Sequence, residues 1–122
     1  MQYVRIEHDG QGGSRFVDTP IEQQESFVVS GVPPLLLSDP VPVQAVVFVE
    51  VPPEVQDTEP HPPPRRQFVV VLSGVLEVEA SGGEVRHFRP GEILLAEDLD
   101  GVGHISRVAE PPLRALFIPA GP

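Results

Sequence analysis

No long helix can persist in this sequence. Sixteen prolines and eleven glycines punctuate its 122 residues. An internal proline removes a helix donor and clashes with the preceding turn. Between the breaks lie short apolar blocks rich in valine, isoleucine and leucine, residues that suit a pleated, half-buried surface. These blocks predict strands at Val4–Ile6, Ser26–Ser30, Leu35–Leu37, Val43–Val51, Gln67–Leu72, Val75–Ala80, Glu84–Phe88, Glu92–Ala96, Val102–Ala109 and Leu113–Ile118. Turn signals separate them at Ser73-Gly74, Ser81-Gly82-Gly83, Arg89-Pro90-Gly91, Asp98 to Gly103 and Pro111-Pro112. Many short strands at this spacing predict an all-β sandwich or closed barrel. Gly10, Gly12 and Gly13 make residues 7 to 15 read as a mobile stretch.

Length predicts one domain, residues 1–122, with enough chain to bury a core. Eight basic against eighteen acidic residues give a net charge of −10. That balance argues against nucleic acid and anionic membranes as partners, since both need a basic footprint. Without cysteine there is no disulfide, thiolate nucleophile or thiolate metal site, and without lysine no Schiff base and no Walker lysine. The polar start, Met1 to Gly13, has no apolar core of a signal peptide, and no stretch is long and apolar enough to span a membrane. The expected location is the cytoplasm.

Two patterns carry chemistry. His61 stands six residues before Gln67, which opens the apolar run to Leu72, and Gly74 follows seven positions after Gln67. Further on, the turn Arg89-Pro90-Gly91-Glu92 leads through an apolar run to a lone His104. Over about half of the chain this resembles the two motifs of the cupin superfamily. His61 falls on the first histidine of the first motif, Gln67 on its glutamate, and Pro90-Gly91 with His104 on the second motif. Pro63 stands where that family has its second histidine. The stretches Pro64-Arg65-Arg66-Gln67 and Leu94-Leu95-Ala96-Glu97-Asp98 further resemble a group of small bacterial cupins whose reaction is generally unassigned. The resemblance implies a cupin-type jelly-roll β-barrel, with the proline-rich loop at about 50–66 delivering His61 to its mouth. It also implies a metal site at His61, Gln67 and His104, lacking one histidine and the anionic carboxylate. Such a site holds a divalent metal weakly or not at all.

The residues themselves point to a pocket. Alternation puts His104 and Ser106 on one face of their strand, and histidine is the best general acid or base near neutral pH. Of the consecutive carboxylates Glu97 and Asp98, one faces inward, and the sequence leaves open which. Val69, Val71, Leu76, Val78 and Ile93 or Leu94 are expected to form an aliphatic wall. The expected function is acid–base chemistry (isomerisation, cyclisation or elimination) on a compact, mostly apolar small molecule. His104 would carry the proton, Asp98 or Glu97 would assist, and Gln67, Ser106, His61, Val69 and Val71 would bind substrate. The rivals are a metal-dependent oxygenase using His61, Gln67 and His104, and a non-catalytic ligand-binding or sensory module. The runs Val46–Val49 and Phe68–Leu72 do not alternate, so both their faces need cover, and a homodimer is expected.

Overall fold

The computed structural model describes residues 1–121, and every regular element among them is a β-strand. The strands are β1 (Gln2–His8), β2 (Ser14–Pro20), β3 (Gln24–Ser26), β4 (Leu35–Leu37), β5 (Val47–Val51), β6 (Gln67–Ala80), β7 (Val85–Phe88), β8 (Ile93–Glu97) and β9 (His104–Pro119). The all-β class expected from the sequence is what forms. No helix of the described residues is long and apolar enough to cross a membrane. One sheet runs β2-β1-β8-β6-β9-β5, with β7 also paired to β6, and β3 and β4 form a separate two-stranded sheet. All its pairings are antiparallel except β1 with β8.

Two expected breaks are not breaks. Ser73-Gly74 lies inside β6 and Pro111-Pro112 inside β9. The register between these long strands slips at Val71/Ser73, Ser73/Val75 and Val75/Leu76, so the extra residues bend the ladder instead of ending it. Gly74 adopts φ 74°, and a Cβ there would collide with the carbonyl oxygens of Glu110 and Pro112. Only glycine lets β9 pass so close. The bend divides β6. Its first half pairs with β8 and the end of β9, while its second half pairs with β7 and the start of β9. Gln67 pairs with Pro119 and Ala80 with His104, at opposite ends of the same ladder.

The core lies along these strands. Ile6, Val71, Val78, Phe88 and Ala115 are buried, with Leu76, Val108 and Phe117 packed against them. Residues 7 to 15 form a defined hairpin. Asp9 accepts from the amides of Gln11 (2.7 Å) and Gly13 (2.9 Å), closing the turn between β1 and β2. On the non-alternating runs, Tyr3 covers one side of Phe68 edge-on at 5.6 Å, whereas Phe48 of β5 remains 83% exposed.

Candidate functional site

A cavity of about 320 Å³ opens among the two halves of β6, β8, β9, β5 and the proline-rich loop. Val49, Val69, Leu76, Leu94, Val108 and Phe117 give it aliphatic and aromatic walls. Because β6 and β9 bend, Gln67 and His104 reach this one space from opposite ends of their ladder.

His104 starts β9 and is 6% exposed. Its Nδ1 lies 2.6 Å from Oδ2 of Asp98, which is fully buried. Asp98 follows directly after β8, where alternation carries Leu94, Ala96 and Asp98 to the inner side. With Nδ1–H donated to the carboxylate, the Nε2 lone pair is left for the cavity, and Asp98 balances the charge when Nε2 takes a proton. Asp98 Oδ1 has no hydrogen-bond partner among the described residues. The strand start is pinned from behind. Ser14 Oγ donates to the Gly103 carbonyl at 2.7 Å and accepts from the Ser81 amide at 3.0 Å.

The loop carrying His61 is docked on β9 through its main chain. The His61 amide donates to the His104 carbonyl (3.0 Å), the His104 amide donates back (3.1 Å), and the Asp57 amide donates to the Ser106 carbonyl (3.1 Å). Gly103, at φ 77°, makes the crossing possible, since a Cβ there would strike the His61 carbonyl and the Pro62 nitrogen. The His61 and His104 rings lie 6.3 Å apart. His61 Nδ1 donates to the Pro62 carbonyl at 3.1 Å, and Nε2 meets Asp57 Oδ2 at 2.9 Å. The bond to Pro62 is the main cause that lifts the His61 pKa above its ordinary 6.5. Partial burial opposes it, and Asp57 adds to it. Asp57 Oδ2 also accepts from the Ser106 amide at 3.1 Å.

The expected site residues therefore separate into groups. His61, Gln67, Val69, His104 and Ser106 line the cavity, with Leu76 and Leu94 in its wall. Val71 and Val78 are buried in the core and are not among the lining residues, and Leu94 rather than Ile93 is. Asp98 stands behind His104. Glu97 is turned to the other side, bonded to Arg66 Nε at 3.0 Å and close to Arg5 Nε at 3.4 Å. No local pattern in the sequence marks Asp57, which sits in the loop and reaches the mouth only once that loop docks.

The sequence matches no protein-family model, and no curated protein is significantly similar to it. The site's chemistry has to be judged on its own donors.

Those donors do not fit a tightly held divalent ion. Pro63 offers no side-chain ligand and Gln67 only a neutral oxygen. Both ring nitrogens of His61 are engaged. Among the described residues no group of three or more His, Cys, Asp or Glu converges on a metal position. Two imidazoles and an amide, with the nearby carboxylates of Asp57 and Asp98 already bonded to the two rings, are a poor set for first-row metals.

Proposed function

We propose that this chain is a small cupin-type jelly-roll protein that performs acid–base chemistry on a compact, mostly apolar ligand. His104 moves the proton and Asp98 orients its ring. One observation carries this reading: a buried carboxylate 2.6 Å from Nδ1 of a histidine whose other nitrogen has no partner among the described residues, at the wall of an apolar cavity. A carboxylate behind the imidazole fixes the tautomer and stabilises the imidazolium, which is the arrangement a general base needs. Gln67 and Ser106 supply neutral polar contacts for the substrate. Isomerisation, cyclisation and elimination all proceed by moving a proton and fit this equipment.

His104→Ala tests it. Turnover of any substrate should fall by ~10²–10⁴-fold while the fold is kept. Undiminished turnover would remove His104 from the mechanism. Ligands that bind and raise the melting temperature without ever being turned over would make the protein a binding module.

We also infer a homodimer. Between Phe27 and Phe48 the only charged residue is Asp39, in a chain of net charge −10. Phe27 is 76% exposed, Leu36 60% and Phe48 83%, and Val28, Val29 and Leu35 are exposed as well. The β3–β4 hairpin, whose second strand lies in this segment, pairs with no other strand among the described residues. A lone two-stranded hairpin is marginal in water. The twelve exposed apolar side chains from Phe27 to Phe48, about half-exposed at ~150–200 Å² each, amount to on the order of 1,000 Å², against ~800 Å² per partner in a stable interface. A second copy is the occupant that fits. This neutral stretch is where two strongly acidic chains can meet without opposing like charges.

A further inference from the structure

The cavity's charge balance goes further than the reaction type and narrows the substrate. Every ionic side chain that touches the cavity already has its partners. Arg107 Nη1 is shared between Glu77 and Glu79, each at 3.1 Å. His61 is held by Asp57 and the Pro62 carbonyl, and Asp57 by His61 and the Ser106 amide. Each charged group of the described lining residues is thus compensated by a neighbour, so a bound carboxylate or ammonium would have to compete with an existing ion pair. Burying an unpaired ion in such a place is strongly disfavoured.

The unspent polar groups are neutral. Gln67 is 7% exposed, lines the cavity, and its side-chain amide has no hydrogen-bond partner among the described residues. His104 Nε2 is unpartnered as well, its ring being held only through Nδ1. An amide N–H suits a carbonyl oxygen, and a basic imidazole nitrogen suits an acidic C–H beside that carbonyl. At roughly 30 Å³ per water-sized group, a cavity of 320 Å³ admits about ten non-hydrogen atoms.

We propose that the site selects an uncharged, enolisable carbonyl compound of about this size and rejects its charged analogues. The inference rests on the reading of His104 as proton carrier. In the step, His104 Nε2 takes a proton from the carbon next to the carbonyl. The C–H electron pair becomes the new C=C bond, and the carbonyl π pair moves to oxygen, where the Gln67 N–H groups hold the enolate. Return of the proton to the same or a conjugated carbon completes an exchange or an isomerisation, and no co-reactant is consumed.

Three probes of matched size test this: cyclohexyl methyl ketone, cyclohexanecarboxylate and 1-cyclohexylethylammonium. Ligand-observed NMR titration of the whole protein reads binding, and proton NMR in D₂O reads α-hydrogen exchange of the ketone. The ketone should bind at least about 10-fold more tightly than either ion. Gln67→Leu should weaken the ketone by about 10-fold while leaving ethylcyclohexane, which has no oxygen, bound as in wild type. His104→Ala should keep ketone binding and lose catalysed exchange. Equal or tighter binding of either ion, binding of none of the three at millimolar concentration, or an unchanged ketone affinity in Gln67→Leu would overturn the proposal. A preferred ketone whose α-hydrogens never exchange would leave the selectivity standing and bring down the proton-transfer reading instead.

Discussion

Asp98→Asn separates catalysis from stability at the dyad. The replacement keeps the volume of a fully buried side chain and removes only its charge. Two stability effects oppose each other. The charge-assisted bond to His104 Nδ1 at 2.6 Å is worth about 1.5–3 kcal/mol. The unpartnered Oδ1 carries a desolvation cost of about 1–3 kcal/mol, which the neutral amide relieves in part. The net change should stay near 1 kcal/mol, or about 4 °C in melting temperature for a domain of this length. Catalysis has no such compensation. The Asn amide can present its NH₂ to Nδ1, so that the ring turns to the Nε2–H tautomer and loses the lone pair it offers the cavity. Exchange of cyclohexyl methyl ketone should fall by ~10²–10⁴-fold. Long-range ¹⁵N–¹H NMR of His104 provides a readout independent of substrate. Neutral wild-type His104 should carry its proton on Nδ1, and the variant should shift to Nε2. A wild-type ring protonated on Nε2, or full exchange activity in the variant, would refute the assignment. A melting-temperature loss beyond about 10 °C would make Asp98 a structural residue first.

Four further outcomes are expected. His61 is held above its ordinary pKa of 6.5, so the stability it contributes is full below that value and is lost as pH rises through the higher folded-state value. His61→Gln should flatten the dependence of melting temperature on pH over that window, and an unchanged profile would remove the ion pair with Asp57 from the account. Gly103→Ala should destabilise by about 1–3 kcal/mol in urea unfolding, because it strains a positive φ and pushes the docked loop away. Wild-type protein should elute with about twice its 13.2 kDa chain mass in light scattering coupled to size exclusion, and the pair Leu36→Glu with Phe48→Glu should give monomers; a wild-type monomer at tens of micromolar would refute the interface. Elemental analysis of protein purified without added metal should find less than one equivalent, and one tight equivalent lost on His104→Ala would reinstate the oxygenase reading.

Much of the sheet was legible because period-2 alternation is local. Leu76, Val78 and Ala80 share a face on sequence alone, and β4 lies where the apolar triplet Leu35–Leu37 predicts it. β2 was missed because Arg15 and Thr19 make its outer face polar, Asp18 interrupts its inner face, and Ser14 and Phe16 are its only buried residues. Ser73-Gly74 and Pro111-Pro112 carry turn chemistry, yet they mark a bend, because a bulge and a turn use the same residue types. At the site, His104 and Gln67 stood out by type and position, and Asp98 follows from alternation once β8 is placed. Asp57 was not legible. Its role depends on a loop docking through main-chain atoms, an event that leaves no trace in side-chain pattern.

Strand β5 has two different duties on its two faces. Val49 and Val51 wall the cavity, while Phe48, just before Val49, is directed to solvent in the single chain. A partner seated on Phe48 would therefore hold in place the strand that shapes the cavity. Assembly and occupancy then share one free-energy balance. A ligand that favours the ordered wall tightens association, and association raises ligand affinity by the same factor. Measured affinity should accordingly depend on protein concentration, falling on dilution into the range where single chains predominate.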